Sequence, residues 1–411
     1  MQIEKNHREQ TMRYIVEQIK YVCETFKNRL PGSQPERDSQ DYMAGELKKW
    51  ADEVKSEDFE LHPLGFMGFI PLCAVFGVAS AIMFFCQRRF EIPALTIIPI
   101  LLMAASLLMF VFEFLLYREF VDFLFPKKVS RNVYAVRKSL EEPTRRIVFG
   151  GHADAAHEWT YSRHGQIKTL APAIGGSVLG MFFIFISSII YVIAGFPALT
   201  GGWSVVSWLQ LAMIPFFIMI FFFINWKVVV DGANDNLSAC YVSMGIMKEM
   251  AESGFRFKNT EVCVLITGSE EAGLRGALAF GKKHAEELNK IETVIIPLET
   301  LRETSELAIY SLDQTGMVRN DKQVAKLLEN AGKNVGINLP HAQIYPGSTD
   351  AAGFTRTGLK SCGLGGVNHN PQTYYHTRMD SWDNISEECM EKSLEICVEA
   401  AKLFDENGLP E

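Results

Sequence analysis

Positive charge is in short supply: 40 Lys and Arg stand against 48 Asp and Glu, for a formal net charge of −8. A chain this acidic (pI about 5.7) lacks the basic surface a nucleic-acid binder requires, so no nucleic-acid partner is expected. Its eight cysteines, from Cys23 to Cys397, form no CxxC pair and no tight cluster. That excludes a disulfide scaffold and a cysteine zinc site, and suits a reducing compartment. There is no internal repeat. The first 60 residues are charged and helical in pattern, so no cleaved signal peptide is expected. Charge is also absent from long stretches: Leu64–Cys86 and Ile92–Phe112 carry none, and neither does the whole of Thr169–Trp226.

Those stretches account for a mean hydropathy of +0.06, high for a soluble enzyme. At about 1.5 Å rise per residue, a run like Leu64–Cys86 covers roughly 30 Å of hydrocarbon. The turn-rich segment Gly195–Gly202 splits the third stretch into spans near 172–194 and 204–225. Four transmembrane helices are therefore expected, in two hairpins (64–117 and 169–226), with the lipid bilayer as a partner. Glu113, at the end of the second span, is expected to reach the membrane interface. No ionisable residue falls mid-span, which argues against a transporter.

The remaining segments, 1–63, 118–168 and 227–411, read as one discontinuous α/β domain with a doubly wound, mainly parallel sheet. Helices are expected over 10–30 and 36–55, the second amphipathic through Tyr42, Met43, Leu47, Trp50 and Val54. Strands are expected at 132–136, 146–149, 261–266, 292–297 and 306–310. Further helices are expected at 238–252, 276–288, 322–331 and 387–403.

Chemically loaded residues follow the strands. His152-Ala-Asp154 comes after Ile147-Val-Phe-Gly-Gly, and Asp231-Gly-Ala-Asn-Asp235-Asn-Leu-Ser238 opens a helix. Glu270-Glu271 follows the EVCVLI strand, Glu299 ends VIIPLE, and Tyr374-Tyr375-His376-Thr-Arg-Met-Asp380 lies near the C-terminus. Singly, each has a plain reading: a surface His–Asp pair, or a helix cap built from Asn, Asp and Ser. Adjacent carboxylates at a strand end, however, repel unless a cation sits there.

In order and placement these motifs resemble the co-catalytic di-zinc peptidases of the aminopeptidase Y and glutamate carboxypeptidase type (metallopeptidase clan MH). Asn28-Arg29-Leu-Pro-Gly-Ser33 is similar to that family's N-terminal turn, and Gly347-Ser-Thr-Asp350-Ala to a late loop. The resemblance implies the zinc-dependent exopeptidase fold and two Zn²⁺. His152 and Glu299 would hold one ion, Glu271 and His376 the other, and Asp235 would bridge them. Asp154 would orient His152. Glu270 would be the general base toward a metal-bridged water, and Tyr375 would donate to the oxyanion. Many aminopeptidases of this kind carry Asp where this chain has Glu299, so aminopeptidase and carboxypeptidase both stay open, with peptides as substrate. A one-zinc glutaminyl cyclase and a catalytically inactive receptor or scaffold are the other readings. His157 and His164 are not expected to act, because no strand end positions them; His284, His341 and His369 are expected in loops or on the surface. Asp231 is a rival to Asp235 for the bridging place.

Sharing a zinc between His152 and Asp235 requires the intervening insertion to leave and re-enter the same membrane face, which two spans satisfy. Near the spans, the domain side carries Lys48, Lys49, Lys55, Arg118, Lys127, Lys128, Arg131, Arg137, Arg163, Lys168 and Lys227, against Arg88 and Arg89 opposite. That asymmetry places the catalytic domain on the cytoplasmic side.

Overall fold

A computed structural model describes residues 5–344, 347–368 and 373–411; His369 lies outside the described residues. Two helices open the chain, α1 (Lys5–Thr25) and α2 (Gln34–Leu47), the latter capped by the Ser33 hydroxyl, which accepts from Glu36 N. Strand β1 (Glu53–Leu61) follows and pairs antiparallel with β2 (Lys128–Arg137). The second helix thus stops short of the expected 55, and 53–61 is a strand that the pattern hid. Its sequence, EVKSEDFEL, is charged because β1 is an exposed sheet edge, where charge discourages further pairing.

Between β1 and β2 stand α3 (Gly65–Phe90) and α4 (Ala94–Met109), the latter prolonged by a π turn over Phe110–Leu115. After β2 come β3 (Arg145–His152), β4 (His157–Trp159) and the short α5 (Thr160–Arg163). The second apolar pair follows: α6 (Ile167–Ile193), then α7 (Gly201–Ala212) and α8 (Ile214–Phe221). The expected single span 204–225 is interrupted at Met213, since Pro215 at the start of α8 cannot donate back to the preceding turn. It also ends earlier, because Ile224–Val229 forms β5, antiparallel to β4. The helices pack in a ring, α3 against α4, α4 against α6, α6 against α8 and α8 against α3. Four helical stretches, Gly65–Phe90, Ala94–Leu115, Ile167–Ile193 and Gly201–Phe221, are long and apolar enough to cross a membrane, by length and composition.

The chain then continues through α9 (Ser238–Glu252), β6 (Thr260–Thr267), α10 (Arg275–Leu288), β7 (Glu292–Leu301), β8 (Ala308–Asp313), β9 (Val318–Arg319) and α11 (Lys322–Asn334). β10 (His341–Gln343), α12 (Asp350–Arg356), β11 (Lys360–Ser361), β12 (Gly363–Gly366) and α13 (Glu387–Asn407) complete it. The principal sheet runs β1-β2-β6-β3-β7-β12-β8-β10, with β11 beside β7 and β9 beside β8. Its centre is parallel: β3 pairs with β6 and β7, and β7 with β12.

Alternation along the central strands supplies both faces. Ile147 and Phe149, with Val262, Val264 and Ile266, join the large core under α1, α9, α11 and α13. Val148, Cys263, Leu265 and Ile295 point the other way, to Phe280 of α10 and Phe354 of α12. A Cβ on Gly151 would stand 2.6 Å from that of Ala239, so glycine here lets the start of α9 close on the end of β3. All eight cysteines are free.

Glu113 is not exposed at the end of its helix, as an interfacial place would require. It is fully buried, accepts from Val121 N at 2.6 Å, and lies 3.8 Å from Arg275 at the start of α10. The π turn carries it inward, against the sheet domain.

Candidate metal centre

In open α/β sheets, ligands gather beyond the carboxyl ends of the parallel strands. His152 is the last residue of β3, Glu299 lies near the end of β7, and Glu270 and Glu271 follow β6. Asp235 sits in the turn before α9, and His376 in the loop before α13. His152 Nε2 lies 3.2 Å from Asp235 Oδ1 and 3.8 Å from Glu270 Oε2. His376 Nε2 lies 3.2 Å from both Asp235 Oδ2 and Glu271 Oε1. Three sets of ligand atoms come within 4.8 Å of one another: His152–Asp235–Glu299, Asp235–Glu271–His376 and His152–Glu270–Glu271. Asp235 belongs to the first two, whereas Asp231, its rival in the sequence, belongs to none of these sets.

Four carboxylates face two imidazoles in a largely buried site, with Glu270 and Glu271 lining the pockets that open onto it. Among the described residues, the ion pairs of Asp235, Glu270 and Glu271 are with these two histidines alone. Burial pushes the Glu270 carboxyl well above the usual range despite His152, and the charges of Glu271, Asp350 and Glu299 add to it. Burial and the Asp235 charge do the same to Glu299. Against burial, which lowers it, Glu271 and Asp235 push the His376 imidazole up to about 10. The cluster therefore demands positive charge. Imidazole nitrogens and carboxylate oxygens are the donor set of Zn²⁺, and a pair of such ions fits this demand.

Supporting contacts hold each loop. Asp154 is fully buried, accepts from Glu270 N (3.1 Å) and Glu271 N (2.9 Å), and stands 3.4 Å from His152 Nδ1. Asn236 donates to Leu298 O at 3.0 Å and accepts from Thr300 N at 3.1 Å, fixing the end of β7, while Thr300 Oγ1 donates to Glu299 at 2.8 Å. Asp380 accepts from Asn234 N at 2.7 Å and Asp235 N at 3.3 Å. Arg29 donates to Ala153 O at 2.9 Å and to Asp231 O, binding the His152 and Asp235 loops together. Glu36 accepts from Ser269 N at 2.7 Å and Gly32 N at 2.8 Å, so the turn at Asn28–Ser33 braces the Glu270 loop. Asp350 accepts from Thr267 Oγ1 at the end of β6.

Tyr375 stacks on His376, ring centroids 4.1 Å apart, and borders a pocket with Glu270, Glu271, Gly347 and Ser348. Trp159 went unremarked in the sequence. Its ring centroid is 4.4 Å from that of His376, and its amide donates to His376 O at 2.8 Å. Its place opposite Ile224 in the β4–β5 pair is visible only in three dimensions. Glu158 beside it is buried and pairs with Arg378 at 2.7 Å. His157 is positioned after all: it opens β4, packs on Trp226 and lines a second pocket with Glu271 and His376. His284 pairs with Glu57 at 2.7 Å, and His341 starts the exposed β10.

The sequence model of peptidase family M28 matches residues 222–401, less than half of the chain. No curated protein matches. Among solved structures, the chain is similar to an aminopeptidase from an Aneurinibacillus species, at 12% identity and a TM-score of 0.55, covering 96% of this chain and 93% of that one. It is similar to a zinc aminopeptidase from Bacillus subtilis at 13% identity and a TM-score of 0.55, covering 95% and 94%. It is also similar to a glutaminyl cyclase of an Acidobacteriales bacterium, at 10% identity and a TM-score of 0.53, covering 97% and 96%. At such identities the likeness establishes the fold: a mixed α/β architecture with a large, mostly parallel sheet.

Proposed function

We propose that this protein is a di-zinc exopeptidase, anchored in a membrane by its four apolar helices, that acts as an aminopeptidase on short peptides at the cytoplasmic face. The observation that carries the reading is the sharing of Asp235 between the two sets of ligand atoms, His152–Asp235–Glu299 and Asp235–Glu271–His376. His152 and Glu299 would hold one zinc, Glu271 and His376 the other, with Asp235 common to both. When bound, the ions would supply Lewis-acid polarisation of the scissile carbonyl and a nucleophilic water at neutral pH.

The protein's own groups do the rest. Glu270 lies beside the ligands with its carboxylate 3.8 Å from His152 Nε2. It takes the proton of the attacking water on Oε2 and returns it to the departing amine. The Tyr375 hydroxyl donates to the oxygen on which negative charge develops. Asp154 holds the Glu270 and Glu271 amides, so base and ligand move as one unit.

Metal analysis of the purified protein tests the reading, together with turnover of peptides blocked at the N-terminus, at the C-terminus or at neither. Two zinc ions per chain and a requirement for a free N-terminus are expected. One zinc with cyclisation of N-terminal Gln would select the glutaminyl cyclase, and loss of activity on blocking the C-terminus would select a carboxypeptidase.

A further inference from the structure

The bundle is hollow at its domain end. Phe69, Ile70 and Cys73 of α3, Phe110 and Phe114 of the π turn, and Ile174, Ser177, Val178 and Met181 of α6 line a chamber. Phe217 and Ile220 of α8, Phe223 and Trp159 complete it. It is a narrow space, with about 60 Å³ open to the centre of a water-sized sphere, and part of it is continuous with the outside. Its two polar side chains are turned to the backbone: Ser177 donates to Ala173 O (2.6 Å) and Phe216 O (2.9 Å), and Cys73 Sγ lies 3.7 Å from Ser106 O. No polar group faces the space. An apolar space with no polar group to hold water favours hydrocarbon.

Two aromatic side chains are common to the chamber and the pockets at the metal centre. Trp159 lines the chamber and also the two pockets that contain Glu271 and His376. Phe114 is likewise shared between the chamber and the pocket holding Glu270 and Tyr375. From Phe69 to Cys73 the lining follows α3 for roughly 6 Å into the bundle. Phe217 closes the far end, wedged so tightly that a Cβ on Gly77 or Gly180 would fall 2.5 Å or 2.9 Å from its ring. The same Phe217 borders an outer groove between α3 and α8, lined by Val75, Val78, Ile82 and Ile218, which opens toward the apolar surroundings of the bundle.

We infer that the chamber holds a linear hydrocarbon chain of the substrate, so that the amide cleaved at the metal centre belongs to an amphiphile. This rests on the hydrolase reading above and narrows it. The C–N bond breaks, the water oxygen goes to the acyl carbon and a proton to the nitrogen, giving a carboxylic acid and an amine, one of them carrying the chain. The aminopeptidase reading puts the chain on the amine side of the amide, as an amino-acid alkylamide; cleavage of an N-acyl amino acid would go with the carboxypeptidase reading instead.

The test compares two alanine series on the full-length protein in detergent, N-acylated from acetyl to dodecanoyl and amidated from ethyl to dodecyl. In one series kcat/KM is expected to rise at least tenfold with chain length, each buried CH₂ favouring binding by about 0.8 kcal/mol. Val178→Trp fills the chamber and lowers the long-to-short ratio at least tenfold; Leu179→Trp, on the outer face of the same helix, leaves it unchanged. Hydrolysis of short amides with no chain-length effect in either series overturns the chamber while the hydrolase reading stands. If no amide is cleaved, a dodecanoyl chain bearing a mid-chain diazirine decides the matter. Crosslinks to Met181 or Ile220 support the chamber, and crosslinks confined to the outward Leu101 and Leu179 overturn it.

Discussion

Arg275 reaches from the first residue of α10 to within 3.8 Å of Glu113 in the π turn of the second apolar helix. The same guanidinium lies 3.3 Å from Asp122, and Arg275 is 4% exposed. Four residues before it stands Glu271, so the helix bundle and the metal loop share one buried ionic contact. Breaking such a contact on one side leaves uncompensated charge behind. Arg275→Met is therefore expected to destabilise by about 3–5 kcal/mol in thermal unfolding of the solubilised protein. Adding Glu113→Gln is expected to recover part of that loss, as coupled neighbours do. A single-variant loss within about 0.5 kcal/mol of zero, the range of ordinary surface changes, would refute the coupling.

Glu270→Gln removes the proton acceptor while leaving its backbone amide, held by Asp154, in place. Turnover should fall by roughly 10²–10⁴-fold with two metals per chain retained. Activity within about tenfold of the natural protein rejects the general-base role.

Asp235 and Asp231 are four residues apart in the sequence, yet only Asp235 lies among the ligand atoms. Asp235→Ala should empty both metal positions and remove the stabilisation that bound metal confers, so a chelator no longer lowers its melting temperature. Asp231→Ala should keep both metals and the chelator response. The reverse pattern would shift the assignment by one turn.

Glu158, held by hydrogen bonds from Arg378, has its carboxyl lowered to about 2. The unfolded chain titrates near pH 4.3, so this contact contributes stability above roughly that pH. The contribution is lost as pH falls through about 2. Because Arg378 is half exposed and screened, Glu158→Gln should cost only about 1 kcal/mol at neutral pH. The gap to the natural protein should close on acidification; a gap that widens below pH 4 contradicts the linkage.

Sidedness is open to direct measurement. Gly202 lies in the first turn of α7, at the far end of the second hairpin, and Glu387 at the start of α13 on the sheet domain, and both are exposed. Seven of the eight native thiols are buried, which keeps the background low. On intact cells, Gly202→Cys should react with an impermeant thiol reagent and Glu387→Cys should not. The opposite result would place the metal centre outside the cytoplasm.

Strand ends and their chemical residues were legible because they combine local pattern with placement. Ile147-Val-Phe-Gly-Gly before His152, and EVCVLI before Glu270, announce both a buried strand and a polar terminus. Illegible parts had either a misleading composition or partners far away in sequence. β1 looks like a solvated helix end because an edge strand is charged. β5 begins inside an uncharged stretch that reads as membrane through Trp226. Glu113 sits where a span end meets water in a simple anchor, and only Arg275, more than a hundred residues on, shows otherwise. Trp159 and Asp380 carry no signature at all; their significance is the ring beside His376 and the amides of Asn234 and Asp235.

The sheet order also dictates a timetable for synthesis. β3 sits between β6 and β7, and both are made after the second helix pair. When His152 leaves the ribosome, its strand has no neighbour. The last of its partners, β7, is complete only about 150 residues later, roughly 7–30 s at 5–20 residues per second. Until β6 is complete, about 115 residues after His152, this strand stands open on both edges, and on one edge until β7 arrives, a state prone to wrong pairing. An early hairpin of β1 and β2 offers no shelter, since β2 joins the sheet through β6 as well. Both helix pairs are therefore made before the sheet around β3 can close. Any delay in placing them prolongs the exposure of β3, which makes the helix bundle the pacemaker of the protein's assembly.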